Sequence, residues 1–160
     1  MDAGTAEGRT VKPSEQNADA LALAKVPWQV FATFTLRPTW TMCDLNDRRF
    51  RAAVHLVERR YRIRQGDLQW FLALEGVSGT PHFHGLIAGF PPDVINGGGC
   101  ARFVADAWHR KKGGFAYARL YDASKGDGIG YQSKRTREGD NVDRGSPWYS
   151  ESLLRKLTAA

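Results

Sequence analysis

The sequence predicts an α+β domain in which two helices cover one face of an antiparallel sheet. Three observations support this prediction. Four segments alternate between apolar and polar residues as strands do, two segments repeat apolar residues at helical spacing, and the elements follow in the order β-α-β-β-α-β. A chain of 160 residues is long enough to bury one core of ordinary size.

The four strands are predicted from their two-residue alternation. The first covers 28–36, where every even position is apolar, and Pro38 ends it. The second covers 67–76 and the third covers 81–90, and the turn sequence VSGT between them joins the pair as a hairpin. The fourth covers 114–122. Three of the strands offer a purely or mostly apolar face on which helices can pack.

The helices are predicted from apolar residues three and four positions apart. They cover 43–64 and 97–114, and the second is bounded by glycines. A short helix is expected at 126–135, and Pro147 suits the first turn of a closing helix in 146–157. The order β-α-β-β-α-β-α is that of ferredoxin-like and RRM-like folds, which leave one sheet face open for an active site.

Composition gives the domain organisation and a first indication of the partner. Residues 1–25 are rich in small and polar side chains, so we expect a flexible N-terminal arm before one domain at 26–160. Within that domain, 136–160 is expected to form a C-terminal loop and the closing helix. The net charge of +6 and the isoelectric point of about 9.6 favour a polyanionic partner, with nucleic acid the first candidate.

The cysteines and the apolar runs indicate the compartment. Cys43 and Cys100 belong to no Cys-x-x-Cys pair, so we expect reduced, structural thiols rather than a zinc or disulfide framework. No apolar run approaches the roughly 20 residues of a membrane span, and the N-terminus lacks a signal pattern. We expect a cytoplasmic protein without membrane contact, or one in the host nucleus if its source is a eukaryotic virus.

Two histidines two residues apart stand in the third strand. His82 and His84 point to the same side of it, because side chains alternate along a strand. If the turn is centred on 78–79, Glu75 lies opposite His82 and its carboxylate joins the two imidazoles. Ala73 then lies opposite His84 and leaves space there. A loop of odd length would instead place Glu75 on the other face.

Two imidazoles and a carboxylate suit a divalent cation. Mn²⁺, Co²⁺, Ni²⁺ and Zn²⁺ accept such ligands, and Mg²⁺ becomes suitable when phosphate oxygens complete its coordination. The alternative is a pair of surface histidines without a ligand.

A tyrosine and a lysine share a face of the short helix at 126–135. Tyr131 and Lys134 are three residues apart, which places them side by side on a helix. A tyrosine hydroxyl can attack a phosphodiester and form a covalent phosphotyrosine, and an ammonium group can stabilise the charge that develops. The alternative is a structural tyrosine whose ring packs in the fold.

Three segments, in this order, resemble the motifs of the HUH endonucleases, and specifically those of the rolling-circle replication initiators, or Rep proteins. FATFTLRP resembles their first motif, PHFHGLI resembles their His-hydrophobic-His motif, and GYQSK resembles their Tyr-x-x-Lys motif. Glu75 stands where the family often has its third metal ligand. The resemblance spans approximately 28–135.

The resemblance implies a single-tyrosine enzyme that nicks and rejoins single-stranded DNA at an origin hairpin. It implies Tyr131 as the nucleophile and Lys134 as its assistant. It also implies Mn²⁺ or Mg²⁺ held by three ligands, which are Glu75, His82 and His84. The chain contains no Gly-x-x-x-x-Gly-Lys-Ser/Thr sequence, so the helicase is expected from the host or from a missing C-terminal domain, and a host polymerase is a further expected partner.

Two alternatives remain beside the initiator. A single-tyrosine DNA transposase of the same superfamily would use the same chemistry at the ends of a mobile element. A non-catalytic RRM-like module would bind single-stranded DNA or RNA with the same fold, although the Arg/Lys-Gly-Phe-Gly-Phe signature of that class is missing.

The sheet face that carries the histidines is predicted to bind nucleic acid. Its aromatic residues can stack on bases, at about 1–3 kcal/mol for each stacked base. These rings are Phe31, Phe71, Phe115, Tyr117 and Tyr121. The predicted DNA contacts are Arg37, Phe71, Tyr117, Arg119, Lys125 and Arg135. The alternative is that the C-terminal segment, with Trp148 and Tyr149, covers part of this face as a second small core.

Overall fold

The computed structural model describes residues 22–36, 48–75, 81–125 and 148–159, with only the backbone described for Leu74, Glu75 and Trp148. After a helical turn at 22–24, the elements are β1 (Val30–Thr35), α1 (Arg48–Arg60), β2 (Gln69–Glu75), β3 (His82–Ala88), α2 (Pro92–Asn96), α3 (Cys100–Arg110), β4 (Ala116–Leu120), a 3-10 turn (Ala123–Lys125), β5 (Trp148–Tyr149) and α4 (Glu151–Thr158). The helix predicted at 126–135 lies outside the described residues.

The sheet confirms the predicted fold class. Its order is β4-β1-β3-β2-β5, and every neighbouring pair is antiparallel. The first four strands have the ferredoxin-like order, and β5 adds two residues beside β2. The helix α2 was not predicted, and Trp148 and Tyr149 were expected within the closing helix at 146–157, because elements of two and five residues are too short to show a period. The closing helix instead begins at Glu151, after the N-cap residue Ser150, whose side chain accepts the backbone N–H of Leu153.

The main core lies between the sheet and the helices α1 and α3. The even positions of β1 face it, and Val30 and Ala32 are fully buried. Phe34 packs its ring against Phe50 of α1 and Trp108 of α3, with ring centroids 5.4 Å apart in both pairs. The predicted apolar faces of β1, β2 and β3 are therefore confirmed as the helix-covered side of the sheet.

A second cluster of buried side chains covers part of the other face, which we had expected to remain open. It joins the N-terminal turn and α4 to the sheet, and it consists of Leu23, Trp28, Phe71, Leu86, Ala88 and Leu153. Trp28 was predicted to share the main core with the even positions of β1. It instead precedes the strand, and its indole Nε1–H donates to the carbonyl oxygen of Leu23 at 2.9 Å.

This cluster also corrects the boundary of the predicted arm. Leu23 is only 6% exposed, because the turn at 22–24 packs on the sheet. The flexible arm expected at 1–25 is therefore wrong for residues 22–25, which belong to the fold. Residues 1–21 lie outside the described part of the chain.

Cys100 is fully buried in the main core, and burial raises the pKa of its thiol. This agrees with the structural role predicted for it, whereas Cys43 lies outside the described residues. Across the helices that the structure describes, none combines the length and the apolar character needed to cross a bilayer.

Candidate functional site

The hairpin of β2 and β3 has the register that an even-numbered turn predicts. Glu75 lies opposite His82, and Ala73 lies opposite His84. The backbone of Glu75 is therefore in the row that carries the first histidine. Its side chain and the turn at 76–80 are outside what the structure describes.

The two imidazoles lie on one face of β3 and close to each other. Their ring centroids are 5.0 Å apart and the ring planes are perpendicular. Both side chains are half-buried, whereas Phe83 between them is 1% exposed and packs in the main core on the opposite face. The alternation of the strand thus aims one side chain at the core and two at the second face.

Thr33 of β1 holds the second histidine. It is the cross-strand partner of His84, and its hydroxyl oxygen lies 3.1 Å from His84 Nδ1. In the tautomer whose Nδ1–H donates to this hydroxyl, Nε2 keeps the lone pair that binds a metal. Hydrogen bonds of this kind fix the orientation and the basicity of ligating histidines in metal sites.

An aromatic ring packs against the same imidazole, and a guanidinium group lies over that ring. The ring of Phe31 stacks on His84 at 5.8 Å with an angle of 22° between the planes. The guanidinium carbon of Arg119, directly opposite Phe31 on β4, lies 5.3 Å from the centre of the phenyl ring. Three strands, β3, β1 and β4, therefore contribute side chains to one patch on this face.

The β4 edge of this face carries the exposed aromatic rings. Phe115 is 73% exposed and Tyr117 is 57% exposed. Tyr117 pairs with Thr33, so it is in register with the strand position that holds His84. Exposed rings in line with a polar site are suited to stacking on unpaired bases.

Phe71, also predicted to contact DNA, does not belong to this exposed set. It is only 4% exposed, and its ring packs on Tyr149 of β5 with centroids 5.2 Å apart. The prediction of a stacking role for Phe71 is wrong for this conformation, because the C-terminal segment covers the ring. Tyr121 is half-buried against the same second cluster.

Lys125 lies on the 3-10 turn after β4, with 65% of its side chain exposed and its Nζ 3.6 Å from Asp122 Oδ2. The Ser124 hydroxyl and backbone N–H donate to Asp122 Oδ1 at 2.6 Å and 3.0 Å. These bonds, with a smaller effect of Lys125, lower the pKa of Asp122, so this carboxylate is charged at neutral pH and partly offsets the lysine.

The remaining predicted site residues are not among those the structure describes. They are Arg37, Tyr131, Lys134 and Arg135. The structure therefore brings together His82 and His84, places the backbone of Glu75 opposite His82, and places Arg119 over the Phe31 ring that stacks on His84.

The described side chains provide part of a ligand set for a divalent cation. Within the described side chains, no three groups of the His, Cys, Asp or Glu type form a cluster. The Glu75 carboxylate lies outside the described side chains, so the described part of the site is the histidine pair. Two neighbouring imidazoles, one fixed through Nδ1, fit a borderline divalent ion that keeps open positions for phosphate oxygens.

Sequence reasoning missed Thr33 as part of this site. The available signal was the row of odd positions on β1, which includes Thr33 and faces away from the main core. Since β1 lies beside β3 in a ferredoxin-like order, a polar residue in that row can reach the histidines.

The fold and this site together define a ferredoxin-like domain with a histidine pair and exposed aromatic rings on one sheet face. No family model, curated protein or solved structure matches the chain. The function therefore has to follow from the chemistry of the site.

Proposed function

We propose that this protein nicks and rejoins single-stranded DNA through a covalent phosphotyrosine, as the resemblance to HUH replication initiators implies. The observation that supports it most is the histidine pair. The ring centroids of His82 and His84 lie 5.0 Å apart on one face of β3, and the backbone of Glu75 lies directly opposite His82.

In this proposal His82, His84 and Glu75 hold Mn²⁺ or Mg²⁺. The bound ion supplies a positive charge that polarises the scissile phosphate. Thr33 keeps the His84 ring in one orientation by its contact with Nδ1. The phenol of a tyrosine has a pKa of about 10, so attack at neutral pH requires a neighbouring positive charge.

The covalent step transfers one phosphoryl bond. The hydroxyl oxygen of Tyr131 forms a bond to phosphorus, and the bond from phosphorus to the 3′ oxygen of the preceding nucleotide breaks. The phenolic proton leaves to solvent or a nearby base, and the 3′ oxygen takes up a proton to become a free hydroxyl. Lys134 stabilises the charge during this exchange, and attack by the 3′ hydroxyl reverses it and rejoins the strand.

The exposed rings would hold the nucleotides beside the scissile bond. Tyr117 and Phe115 offer faces on which unpaired bases stack, and Arg119, over the Phe31 ring, adds a cation on the same sheet face. An origin hairpin with an exposed loop is a substrate of this kind. A helicase and a polymerase from the host would extend the freed 3′ end.

The proposal is tested with labelled single-stranded oligonucleotides, a library of origin-like hairpin loops, and Mn²⁺. A denaturing gel should show a protein–DNA adduct that survives boiling in detergent, and Tyr131→Phe should abolish it. Tyr117→Phe is the matched control, because it removes an exposed hydroxyl from the same sheet face. Its adduct should persist.

Metal dependence gives the second arm of the experiment. His82→Ala and His84→Ala should each lose the adduct, as should the wild type in a chelator. An adduct that forms equally well in Tyr131→Phe, or without any divalent ion, would contradict the proposed mechanism.

A second candidate is a non-catalytic module that binds single-stranded DNA or RNA. It is favoured by the exposure of Tyr117 on β4 and of Phe115 just before it, which stacking requires and catalysis does not. In that case, binding would fall in Tyr117→Ala but would not respond to chelator, and no adduct would form on any oligonucleotide.

A further inference from the structure

The helix side of the domain carries more positive charge than the whole chain. Residues 48–68 contain seven arginines and no lysine, against Glu58 and Asp67. Residues 100–113 contain four cations against Asp106. The excess is five in the first segment and three in the second, whereas the net charge of the entire chain is +6.

The only carboxylate within α1 does not reduce this charge at the surface, because it is used internally. Glu58 is 1% exposed. Its Oε1 accepts the backbone N–H of Gly66 at 2.8 Å and that of Leu68 at 3.4 Å, and its Oε2 lies 2.8 Å from His55 Nδ1. Glu58 therefore holds the loop after α1 and leaves the outer face of the helix to the arginines.

Two arginines connect α1 and α3 into one surface. The guanidinium carbons of Arg60 and Arg110 lie 5.9 Å and 5.5 Å from the centre of the Phe103 ring. Both side chains are exposed. A guanidinium that stacks on a ring is held in place through its flat side, and its N–H donors lie around its edge, where a phosphate can accept them.

A cleft of about 420 Å³ lies beside β2, next to the arginines of α1. Its lining contains three arginines (Arg51, Arg64 and Arg155) and three carboxylates (Glu58, Asp67 and Glu151), so the cleft itself adds no excess of positive charge. Arg51 lies over the indole ring of Trp70, with its guanidinium carbon 5.7 Å from the ring centre. Arginine is the residue best suited to paired hydrogen bonds with phosphate oxygens.

We propose that the helix side of the domain, formed by α1 and α3, binds the phosphate backbone of double-stranded DNA. The sheet face offers exposed rings for unpaired bases. A duplex has no unpaired bases and needs only phosphate contacts, which the helix side supplies. The 13 residues of α1 extend about 20 Å, the length of roughly six base pairs.

The pattern of exposed apolar side chains favours DNA, rather than a lipid or an apolar protein surface, as the partner of the helix side. Within the described residues, the large apolar side chains with the greatest exposure are Phe115, Tyr117, Leu120 and Leu154. None of them lies on α1 or α3. A helix that inserts into a bilayer surface would present such residues beside its cations.

The test uses the full chain and a labelled, blunt-ended duplex of 20 base pairs, with binding followed by fluorescence anisotropy across a salt series. The wild type should bind, with an affinity that falls linearly on a log–log plot against salt. Arg59→Gln with Arg60→Gln should weaken binding about tenfold and reduce the slope by about two.

Two further double variants make the result specific. Arg48→Gln with Arg59→Gln should have a similar effect and leaves the Phe103 contacts in place. Lys25→Gln with Lys156→Gln removes the same charge from exposed positions on the segments that cover the second face. This control should change duplex affinity less than twofold. Equal losses in all three variants would overturn the proposal, because they would show a diffuse charge effect.

The inference is separate from nicking and can fail separately. Adduct formation on an unstructured single strand should be unchanged in the helix-side variants, and duplex binding should persist in Tyr131→Phe. Binding to vesicles that contain anionic lipid, with none to the duplex, would overturn the inference in favour of a membrane surface.

Discussion

The two faces of the sheet are built from the same strands but are packed to very different extents. Nineteen buried residues form the cluster on the helix side, and six form the cluster on the other side. The helix side is therefore closed along β1, β2 and β3, whereas Leu120 of β4, which lies opposite Val30, is 42% exposed. The second face is closed only where α4 and the N-terminal turn cover it.

β3 shows where the second face changes character. Leu86 and Ala88 are buried in the second cluster, whereas His82 and His84 on the same side of the strand are half-buried. Alternate positions along this side of β3 thus change from ionisable to apolar residues. We call the part with Leu86 and Ala88 the packed end, and the part with His82 and His84 the chemical end. Buried apolar packing and half-buried ionisable side chains are therefore separated along one strand as well as between the two faces.

The largest effect is expected from two phenylalanines on opposite faces of β1. Phe34→Ala should destabilise the fold by about 3–5 kcal/mol, because Phe34 is 1% exposed and packs between α1 and α3. Phe31→Ala should cost about 1–2 kcal/mol, since that ring is only half-buried. Urea unfolding gives the free energy of unfolding of each variant. Equal losses of that free energy would show that the second face is packed as firmly as the helix side.

A smaller effect is expected at the packed end of the second face. Leu153→Ala should destabilise by about 2–3 kcal/mol, since Leu153 is fully buried in a small cluster that can partly collapse. The neighbouring Leu154 is 44% exposed, and Leu154→Ala should change stability by less than about 0.5 kcal/mol. Hydrogen exchange should show α4 opening first in Leu153→Ala. Loss of metal binding in this variant would contradict the separation of the two ends.

The sequence was sufficient for the four main strands, α1, α3 and the register of the hairpin. Alternation is strong where one face is fully buried, and it fixed the pairing of Glu75 with His82. The covering of Phe71 was harder to predict. It depends on β5, a strand of two residues more than 70 positions away, which no local period reveals.

The candidate site was predictable to the same extent as the strands that carry it. That His82 and His84 share a face follows from the alternation of side chains within one strand. The role of Thr33 depends on the neighbouring strand, 51 positions away along the chain, and hence on knowing that β1 lies beside β3. Arg119 was predicted as a DNA contact, and the structure adds that it lies over Phe31.

The smallest effect tests the chemical end alone. Thr33→Val keeps the shape of the side chain and removes the hydroxyl that lies 3.1 Å from His84 Nδ1. The imidazole then loses the partner that selects its tautomer, so affinity for Mn²⁺ or Co²⁺ should fall about tenfold in calorimetric titration. Stability should change by less than about 1 kcal/mol, because Thr33 is half-buried and its backbone pairing is unchanged.

Thr33→Ser separates a hydrogen bond from a packing effect. It retains the hydroxyl and loses the methyl group, so it should restore most of the metal affinity that Thr33→Val loses. If valine binds the ion as tightly as threonine does, His84 is not oriented through Nδ1. The division of β3 into a packed end and a chemical end would then rest on the histidines without support from β1.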